Sequence, residues 1–312
     1  VDVEISGLSV NSASVRPGDL FIAIKGQNSD GHDFVNEAMK KKASGFVLEK
    51  DIKALPLKII VKNSKTALAQ LANNFYDNPS KNVKLIGITG TNGKTTVSYL
   101  LEKALNNNHI RCGVIGTISY RLKKKVIKTS NTTPGNLELF ALINEMRRDG
   151  LEYAAIEISS HALHQERVKG LNFKTAIFTN ITQDHLDYHK TFGNYLKSKL
   201  RLFENLTANQ TAVINADALY SKSFINATKA NIILYGIKNP SLISASDINL
   251  TSGSSRFILN CPAGAIEINT SLIGIHNIYN ILAASAALFN EGFKLQDIKK
   301  GIESLVMVEG RL

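Results

Sequence analysis

Hydrophobic positions along the chain fall into short uninterrupted apolar runs that alternate with segments of helical spacing. Before residue 80, apolar runs at 20–24, 45–48 and 58–61 predict strands. Segments 33–42 and 64–76 predict helices, because their apolar residues recur every three or four positions. Asn78, Pro79 and Ser80 end the second helix and mark a linker. We therefore predict a small α/β domain over residues 1–82.

The same alternation continues from residue 84 almost to the end of the chain. Strands are predicted at 84–89, 111–115, 152–158, 174–179 and 211–215, with a hairpin around 117–128. Helices are predicted at 95–107, 136–148, 191–205, 217–228, 277–291 and 295–304, with a short helix after residue 158. Continuous apolar strands are typical of parallel sheets covered by helices on both faces. The fold class expected for residues 83–308 is therefore α/β, with a doubly wound, mostly parallel sheet.

Two further segments change this picture. Residues 243–272 alternate apolar and polar positions, which predicts an antiparallel appendage. Residues 309–312 are interpreted as the start of a linker to a carboxy-terminal domain that this chain lacks. Because the chain starts at Val1 and not at Met, we expect its true N-terminus to lie further upstream.

Composition excludes several classes of protein. Hydrophobic residues make up 44% of the chain and charged residues 20%, which is typical of a globular protein. No apolar run reaches the roughly 20 residues that a membrane-spanning helix needs. The two cysteines, Cys112 and Cys261, are far apart and provide neither a disulfide framework nor metal-ligand spacing. We expect a cytoplasmic, monomeric protein that does not bind a membrane.

The net charge of +11 raises the question of nucleic-acid binding. The basic residues are scattered, apart from a short cluster at 121–125, and no aromatic residues alternate with them as base-stacking platforms would. The pattern favours small anionic substrates and no nucleic acid. A P-loop ATPase that acts on nucleic acid remains an alternative.

A candidate phosphate loop follows the apolar run at residues 85–88. Its residues are Gly90, Thr91, Asn92, Gly93, Lys94, Thr95 and Thr96. Glycines let backbone N–H groups approach phosphate oxygens, and the helix N-terminus adds positive potential. Lys94 would reach the β- and γ-phosphates, and the Thr95 hydroxyl would bind Mg²⁺. Ile88 stands where the usual pattern has its first glycine, so an ordinary strand–helix turn is the alternative.

Polar residues also follow other strands, at the sheet edge where ligands of such folds gather. Asn131, Thr132 and Thr133 precede a helix, where they could bind a ligand or simply cap the helix. Glu157 ends an apolar run, so a cation is expected beside it, either a metal ion or a salt-bridge partner. The Arg167 guanidinium could bind a carboxylate or phosphate through two hydrogen bonds, or Arg167 could be an exposed helix charge.

The segment after the strand at 174–179 contains two histidines, His185 and His189, at the spacing of zinc ligands on one helical turn. A zinc protease needs glutamate where Leu186 stands, so a Mg²⁺ site that uses His185, or a polar hydrogen-bond network, is favoured. The amphipathic spacing around Lys199 indicates a solvated lysine. His276 lies in an ordinary loop-to-helix junction.

Taken in order, the motifs GTNGKTT, NTTP, EISSHAL with its following Arg167, FTNITQDHLDYH, YLKSK and GIHNIYN resemble the Mur ligases of peptidoglycan synthesis. The resemblance covers essentially all 312 residues, and it is greatest to the MurE type, which adds the third peptide residue. Mur ligases couple ATP cleavage to amide-bond formation through an acyl phosphate. The resemblance implies an ATP-dependent ligase that adds meso-diaminopimelate or L-lysine to UDP-N-acetylmuramoyl-L-alanyl-D-glutamate. The pocket for the amino acid would lie mostly on the missing domain, so this chain alone is expected to ligate nothing.

The resemblance also implies roles for individual residues. ATP would contact residues 90–96 together with Asn180, His276, Asn277 and Arg311. Thr95 and Glu157 would hold one Mg²⁺, and His185 would hold a second with Lys199, which the family carries as a CO₂-derived carbamate. Lys94, Glu157, His185 and Lys199 would be catalytic. Residues that would contact the UDP-muramoyl-dipeptide are Ser12, Gln27, Asn28, Ser29, Asn131, Thr132, Thr133, Ser159, Gln165 and Arg167.

One motif departs from the family pattern. The first domain has Asn11, Ser12 and Ala13 where the family commonly shows Asp-Ser-Arg. Alternative functions are a sibling Mur ligase, a folylpolyglutamate synthase-like ligase, or a nucleotide-sugar-binding module without catalysis. The presence of all the catalytic residues named above argues against the last of these.

Overall fold

The computed structural model describes residues 3–26, 29–53, 55, 57–129 and 131–308. Gln27, Asn28, Arg311 and the predicted linker at 309–312 lie outside the described residues. The chain divides into two compact units. The first consists of residues 1–79, 135–142 and 168–171, and the second of residues 80–134, 143–167 and 172–312.

The first unit contains a sheet of four parallel strands. In spatial order these are β1 (Gly7–Ser9), β2 (Asp19–Ile22), β3 (Gly45–Leu48) and β4 (Lys58–Ile60). Its helices are α1 (Val35–Lys40) and α2 (Ser64–Phe75), with 3-10 turns at Ser12–Ser14 and Gly31–Phe34. Side chains of β2 and β3 alternate between two apolar clusters, with Phe21 and Phe46 in one and Ile22 and Val47 in the other. The predicted strands and helices are confirmed, and β1 was missed because three residues show too little pattern.

The second unit contains one sheet of eleven strands. Their spatial order is β15-β14-β13-β12-β11-β10-β5-β9-β6-β7-β8. Their bounds are β5 (Lys84–Thr89), β6 (Cys112–Ile115), β7 (Ser119–Arg121), β8 (Val126–Lys128), β9 (Tyr153–Glu157), β10 (Phe173–Phe178), β11 (Thr211–Asn215), β12 (Asn231–Gly236), β13 (Ile243–Leu250), β14 (Ser255–Cys261) and β15 (Gly264–Thr270). The seven strands from β13 to β6 pair in parallel, which confirms the predicted fold class.

Helices accompany this sheet. Their bounds are α3 (Lys94–Asn107), α5 (Ser160–His164), α6 (Leu186–His189), α7 (Phe192–Glu204), α8 (Ser221–Ala227), α9 (Ile275–Asn290) and α10 (Leu295–Glu303), while α4 (Asn136–Arg148) has its first residues, up to 142, in the first unit. The principal core joins strand residues such as Ile86 and Val213 to Leu101 of α3 and Leu282 of α9. Among the described residues, no helix is both long enough and apolar enough to cross a membrane.

Three details differ from the sequence predictions. The antiparallel pairing predicted for 243–272 is confirmed, since β14 pairs antiparallel with both β13 and β15, but the segment is not separate, because β13 pairs in parallel with β12 and continues the main sheet. β12 itself was not predicted, although Ile232, Ile233 and Leu234 form a short apolar run within it. The helix expected from residue 217 begins at Ser221, because Tyr220 has a left-handed backbone (φ 65°) that no helix interior tolerates.

Strand order positions the functional residues. β9 and β10 flank β5, and all three strands run parallel. Glu157 pairs with Ile88, and Phe178 with Thr89, so the carboxyl ends of the three strands meet at one edge. The phosphate-loop, Glu157 and Asn180 segments therefore leave the sheet side by side.

Candidate functional site

The glycine-rich loop connects the end of β5 at Thr89 to the start of α3 at Lys94. Gly93 has φ 89°, and a Cβ atom there would lie 2.3 Å from Asn280 Oδ1. A Cβ atom on Gly90 would lie 1.9 Å from Thr179 Oγ1. Both positions therefore require glycine, because neighbouring side chains press against the backbone of the loop.

Residues after β10 hold this loop from one side. The Asn180 carbonyl accepts a hydrogen bond from Thr91 N (2.9 Å), and its Oδ1 accepts one from Asn92 N (3.0 Å). Asn92 O accepts hydrogen bonds from Thr179 Oγ1 (2.6 Å) and Asn180 Nδ2 (3.1 Å). Asn180, predicted on the nucleotide side, thus supports the loop directly.

Two lysines converge on the same backbone carbonyl. Lys94 Nζ donates to Gly90 O (2.8 Å) and Thr91 O (2.9 Å), and Lys199 Nζ donates to Gly90 O (2.9 Å). The side chain of Lys199 is only 2% exposed, so the interpretation of a solvated lysine is wrong. Burial, and then the charge of Lys94, hold the pKa of Lys199 well below its usual range.

The burial of Lys199 follows from its helix face. Tyr195, Ser198 and Leu202 of α7 are also buried, and they lie at helical spacing around Lys199. The Lys199 ammonium lies 4.6 Å from the centroid of the Tyr195 ring. Spacing alone did not reveal this, because a lysine is normally counted on the polar face of an amphipathic helix.

Glu157, at the end of β9, is 1% exposed and is surrounded by hydrogen-bond donors. Its Oε2 accepts from Thr95 Oγ1 (2.9 Å) and Thr117 Oγ1 (2.9 Å), and its Oε1 accepts from Thr117 N (3.2 Å). A Cβ atom on Gly116 would lie 2.2 Å from Glu157 Oε1. Thr117 was missed by the sequence analysis, and the only available signal was its position just after Gly116 and β6.

The residues after β9 form a network with the segment 131–134. Thr133 Oγ1 donates to Glu157 O (2.8 Å) and accepts from Ser159 N (3.1 Å). Arg167 donates through Nη1 to Thr133 O (2.7 Å) and through Nε and Nη2 to Gln165 Oε1. Arg167 is therefore a member of this network and not simply an exposed helix charge.

The remaining predicted residues of this segment lie nearby. Thr132 Oγ1 lies within hydrogen-bond distance of Thr117 Oγ1 (3.1 Å). Asn131 is exposed at its side chain, and its carbonyl accepts from Tyr120 OH (3.0 Å). Ser159 Oγ caps α5 by accepting from Ala162 N (3.1 Å).

The two histidines of the 180–189 segment lie in different environments. His185 is exposed, has φ 52°, and lies 3.4 Å from Asp184. His189 is buried between Ser160 Oγ (3.0 Å) and Ser198 Oγ (3.4 Å). Burial, together with neighbouring histidines, lowers the pKa of His189 to about 4. Across the described ranges, no group of three or more His, Cys, Asp or Glu side chains could hold a metal ion.

Two cavities of the second unit adjoin the loop. One, of about 610 Å³, is lined by the whole loop together with Thr117, Thr132, Ser159, Ser160, His185, Lys199, Leu272, His276, Asn277, Asn280 and Val308. The other, of about 740 Å³, shares Asn92, Gly93, His276 and Asn280 with it and adds aromatic walls from Phe192, Tyr220, Tyr235 and Tyr279. A polar cavity beside a more aromatic one suits a ligand with a charged end and a flat, apolar end.

In the first unit, Ser12 Oγ donates to Glu37 Oε2 (2.8 Å) and is buried. Asn11 caps the 3-10 turn by accepting from Ala13 N (3.0 Å). The Ser29 carbonyl accepts from Gly26 N (2.9 Å). These bonds fix the local backbone around two of the predicted substrate-binding residues.

Comparison with known proteins gives a consistent result. A family model described as the Mur ligase middle domain matches residues 88–288, and one described as the Mur ligase family catalytic domain matches residues 4–76. The UDP-N-acetylmuramoyl-L-alanyl-D-glutamate–2,6-diaminopimelate ligase 1 of Clostridium acetobutylicum is 41% identical over 314 residues, which covers 100% of this chain and 64% of that protein. The ligase of Listeria monocytogenes serovar 1/2a is 41% identical over 315 residues, covering 99% and 64%.

Solved structures agree with these relatives. A structure of a UDP-N-acetylmuramoyl-L-alanyl-D-glutamate–2,6-diaminopimelate ligase has a TM-score of 0.86 at 26% identity and covers 98% of this chain and 64% of its own. The MurF ligase of Thermotoga maritima in complex with ADP shares the fold, with a TM-score of 0.67 at 22% identity over 100% of this chain and 68% of its own. The chain spans about 64% of the length of the curated relatives it matches.

Proposed function

The chain belongs to the Mur ligase family, and from that premise we propose that it is the substrate- and ATP-binding part of an ATP-dependent ligase of peptidoglycan precursor synthesis. The enzyme adds meso-diaminopimelate or L-lysine to UDP-N-acetylmuramoyl-L-alanyl-D-glutamate. The observation that carries this proposal is one cavity lined by the phosphate loop and the buried Lys199, with the buried Glu157 hydrogen-bonded to Thr95 and Thr117 of the same lining. The names of the 41% identical relatives support the choice of substrate.

The proposed reaction has two steps. An oxygen of the substrate's γ-carboxylate attacks the γ-phosphorus of ATP, and the bond from that phosphorus to the bridging oxygen breaks, releasing ADP. The amine of the incoming amino acid then attacks the acyl carbon, phosphate leaves with the carbon–oxygen bonding electrons, and the amine loses a proton to solvent. The protein's contribution is to position the two reactants and neutralise their charge.

Lys94 is the residue assigned to the phosphates. Its ammonium donates hydrogen bonds of about 3 Å to the carbonyl oxygens of Gly90 and Thr91. A short rotation of the side chain would therefore carry the ammonium to an oxygen of a phosphate bound by this loop. The backbone of residues 90–96 would bind the phosphates, and the aromatic cavity would take the base beside Asn180, His276 and Asn277. The assignment of Arg311 to the nucleotide rests on the resemblance alone.

Whether the first proposed position suits Mg²⁺ depends on the ligand atoms present there. Thr95 Oγ1 and Glu157 Oε2 lie 2.9 Å apart, and both are oxygen atoms of the kind that Mg²⁺ prefers. On binding the ion, the buried Glu157 carboxylate would exchange hydrogen bonds from hydroxyl groups for a bond to Mg²⁺. Thr95 and Glu157 therefore fit this ion. Bound there, Mg²⁺ would neutralise phosphate charge.

The second position would use His185 and Lys199. An amine is a poor ligand for Mg²⁺, so this site fits only once Lys199 carries a carbamate. The lowered pKa of Lys199 supports that modification, because a neutral amine can attack CO₂ through nitrogen and release a proton.

We further propose that residues 1–82 bind the UDP end of the substrate and residues 83–308 bind ATP. Ser12, Gln27, Asn28 and Ser29 would meet the UDP moiety. Residues assigned to the muramoyl-dipeptide are Asn131, Thr132, Thr133, Ser159, Gln165 and Arg167. The incoming amino acid would be held mainly by a carboxy-terminal domain, and the protein is proposed to be cytoplasmic and monomeric.

Titration calorimetry with ATP tests this proposal. We expect the chain to bind ATP in the presence of Mg²⁺ and at least tenfold more weakly, on the order of 1.4 kcal/mol, after chelation with EDTA. We also expect no ligase turnover by the 312-residue chain. Binding that is insensitive to EDTA would contradict the metal assignment. Salt-sensitive binding to an oligonucleotide, without ATP binding, would favour the nucleic-acid alternative.

A further inference from the structure

A buried imidazole connects two serine hydroxyls in the second unit, and the proposed reaction uses none of the three groups. His189 Nε2 lies 3.0 Å from Ser160 Oγ, and His189 Nδ1 lies 3.4 Å from Ser198 Oγ. His189 is 4% exposed, and Ser160 and Ser198 are 1% and 2% exposed. Ser160 also lines the 610 Å³ cavity, beside Ser159 and Lys199.

Hydrogen bonding assigns the tautomer of His189. Ser198 Oγ donates its single proton to Asn194 O (2.8 Å), so it can only accept from His189. His189 Nδ1 therefore carries the ring proton. The ring is buried and its two nitrogens face hydroxyl groups, so a charged imidazolium would be costly there; the neutral ring leaves Nε2 without a proton and able only to accept. The hydroxyl proton of Ser160 must then point to His189 Nε2.

This arrangement limits what Ser160 can recognise. With its proton committed to His189, Ser160 Oγ offers only lone pairs to the cavity. Carboxylates and phosphates are acceptors and gain nothing there, whereas an N–H group does. A cationic ammonium is disfavoured because Lys94 lines the same cavity. A neutral amide N–H is the donor that suits this position.

Resting on the proposed function, we propose that Ser160 accepts a hydrogen bond from the alanyl–glutamyl amide N–H of the UDP-muramoyl-dipeptide. His189 is the positioning residue that turns the hydroxyl so that it can accept. Ser160 thus distinguishes the dipeptide-bearing substrate from one that lacks this amide.

The substrate side gives the sharpest test. We expect Ser160→Ala to weaken binding of UDP-N-acetylmuramoyl-L-alanyl-D-glutamate about five- to tenfold in calorimetry, the usual effect of a neutral hydrogen bond, with ATP affinity unchanged. An analogue with an ester oxygen in place of the amide N–H should bind the unsubstituted chain more weakly by the same factor. Ser160→Ala should bind the ester analogue and the amide-bearing ligand with the same affinity. Two results would overturn the proposal. One is that the two losses of affinity multiply when the analogue is bound to Ser160→Ala, and the other is that Ser160→Ala binds the amide-bearing ligand as tightly as the unsubstituted chain does.

Two variants of His189 test the positioning role. Glutamine places an amide oxygen near the position of Nε2, whereas asparagine reaches only as far as Nδ1. We expect His189→Gln to bind the dipeptide ligand within about twofold of the original chain and His189→Asn to lose as much as Ser160→Ala. Equal losses in both variants, with unchanged melting temperatures, would contradict it.

A ligand-free measurement separates this inference from the proposed function. Nitrogen-15 NMR of the unsubstituted chain should show the His189 proton on Nδ1, and a proton on Nε2 would overturn the inference. Failure of the unsubstituted chain to bind the dipeptide ligand at all, with the Nδ1 tautomer present, would instead count against the proposed substrate.

Discussion

Lys94→Met is expected to lower the affinity of the chain for ATP about 100-fold while leaving its melting temperature nearly unchanged. In the free chain, Lys94 Nζ donates to two carbonyl groups of its own loop, Gly90 O and Thr91 O. With ATP bound, the same ammonium would make charge-assisted hydrogen bonds to phosphate, worth about 1.5–3 kcal/mol each. Calorimetric titration with Mg²⁺ and ATP measures the loss.

A matched control is available on the same helix. Lys103 is an exposed lysine of α3, so Lys103→Met removes the same charge without approaching the loop. We expect Lys103→Met to bind ATP within about twofold of the original chain, because exposed charges contribute little. Similar affinities for the two variants would show that Lys94 does not meet the phosphates.

Lys199→Met is expected to stabilise the chain by about 1–2 kcal/mol near neutral pH in CO₂-depleted buffer. Removing a buried amine abolishes its desolvation cost and its repulsion with Lys94, although one hydrogen bond to Gly90 O is lost. Urea unfolding measures the change. Lys197→Met, which removes an exposed lysine from the same helix, should change stability by less than about 0.5 kcal/mol.

The gain from Lys199→Met should depend on pH. The folded state lowers the pKa of Lys199, so folding opposes protonation of this side chain. The destabilisation is complete below the folded pKa and disappears as pH rises towards the unfolded value of about 10.4. The advantage of the variant should therefore shrink on raising the pH from about 7 to 10. A variant that is less stable than the original chain at both values would contradict this account of the buried amine.

Local sequence patterns predicted most of the architecture. β5 and β9 contain continuous apolar runs, so their strand state was readable without tertiary information. β12 was missed because its short apolar run is flanked by polar residues and only pairing with β11 makes it a strand. The parallel pairing of β13 with β12 was likewise unreadable, because it depends on how the chain turns at residues 236–243.

The candidate site was predictable where chemistry is local and less so where packing decides. The loop from Gly90 to Thr96 is contiguous, so the glycines and Lys94 identify it directly. Lys199 shows the opposite case, since nothing in its helix spacing indicates that it is buried against Gly90 O. Thr117 reaches Glu157 only because β6 and β9 are neighbours in the sheet.

The measurement that tests the central claim most directly is a paired calorimetric titration of the chain with UDP-N-acetylmuramoyl-L-alanyl-D-glutamate and UDP-N-acetylmuramoyl-L-alanine. The account predicts that the glutamate-bearing ligand binds at least about tenfold more tightly, because Arg167 and the network around Thr133 would meet its glutamyl carboxylates. Equal binding, or preference for the shorter ligand, would contradict the assignment to third-residue addition and would favour a sibling ligase.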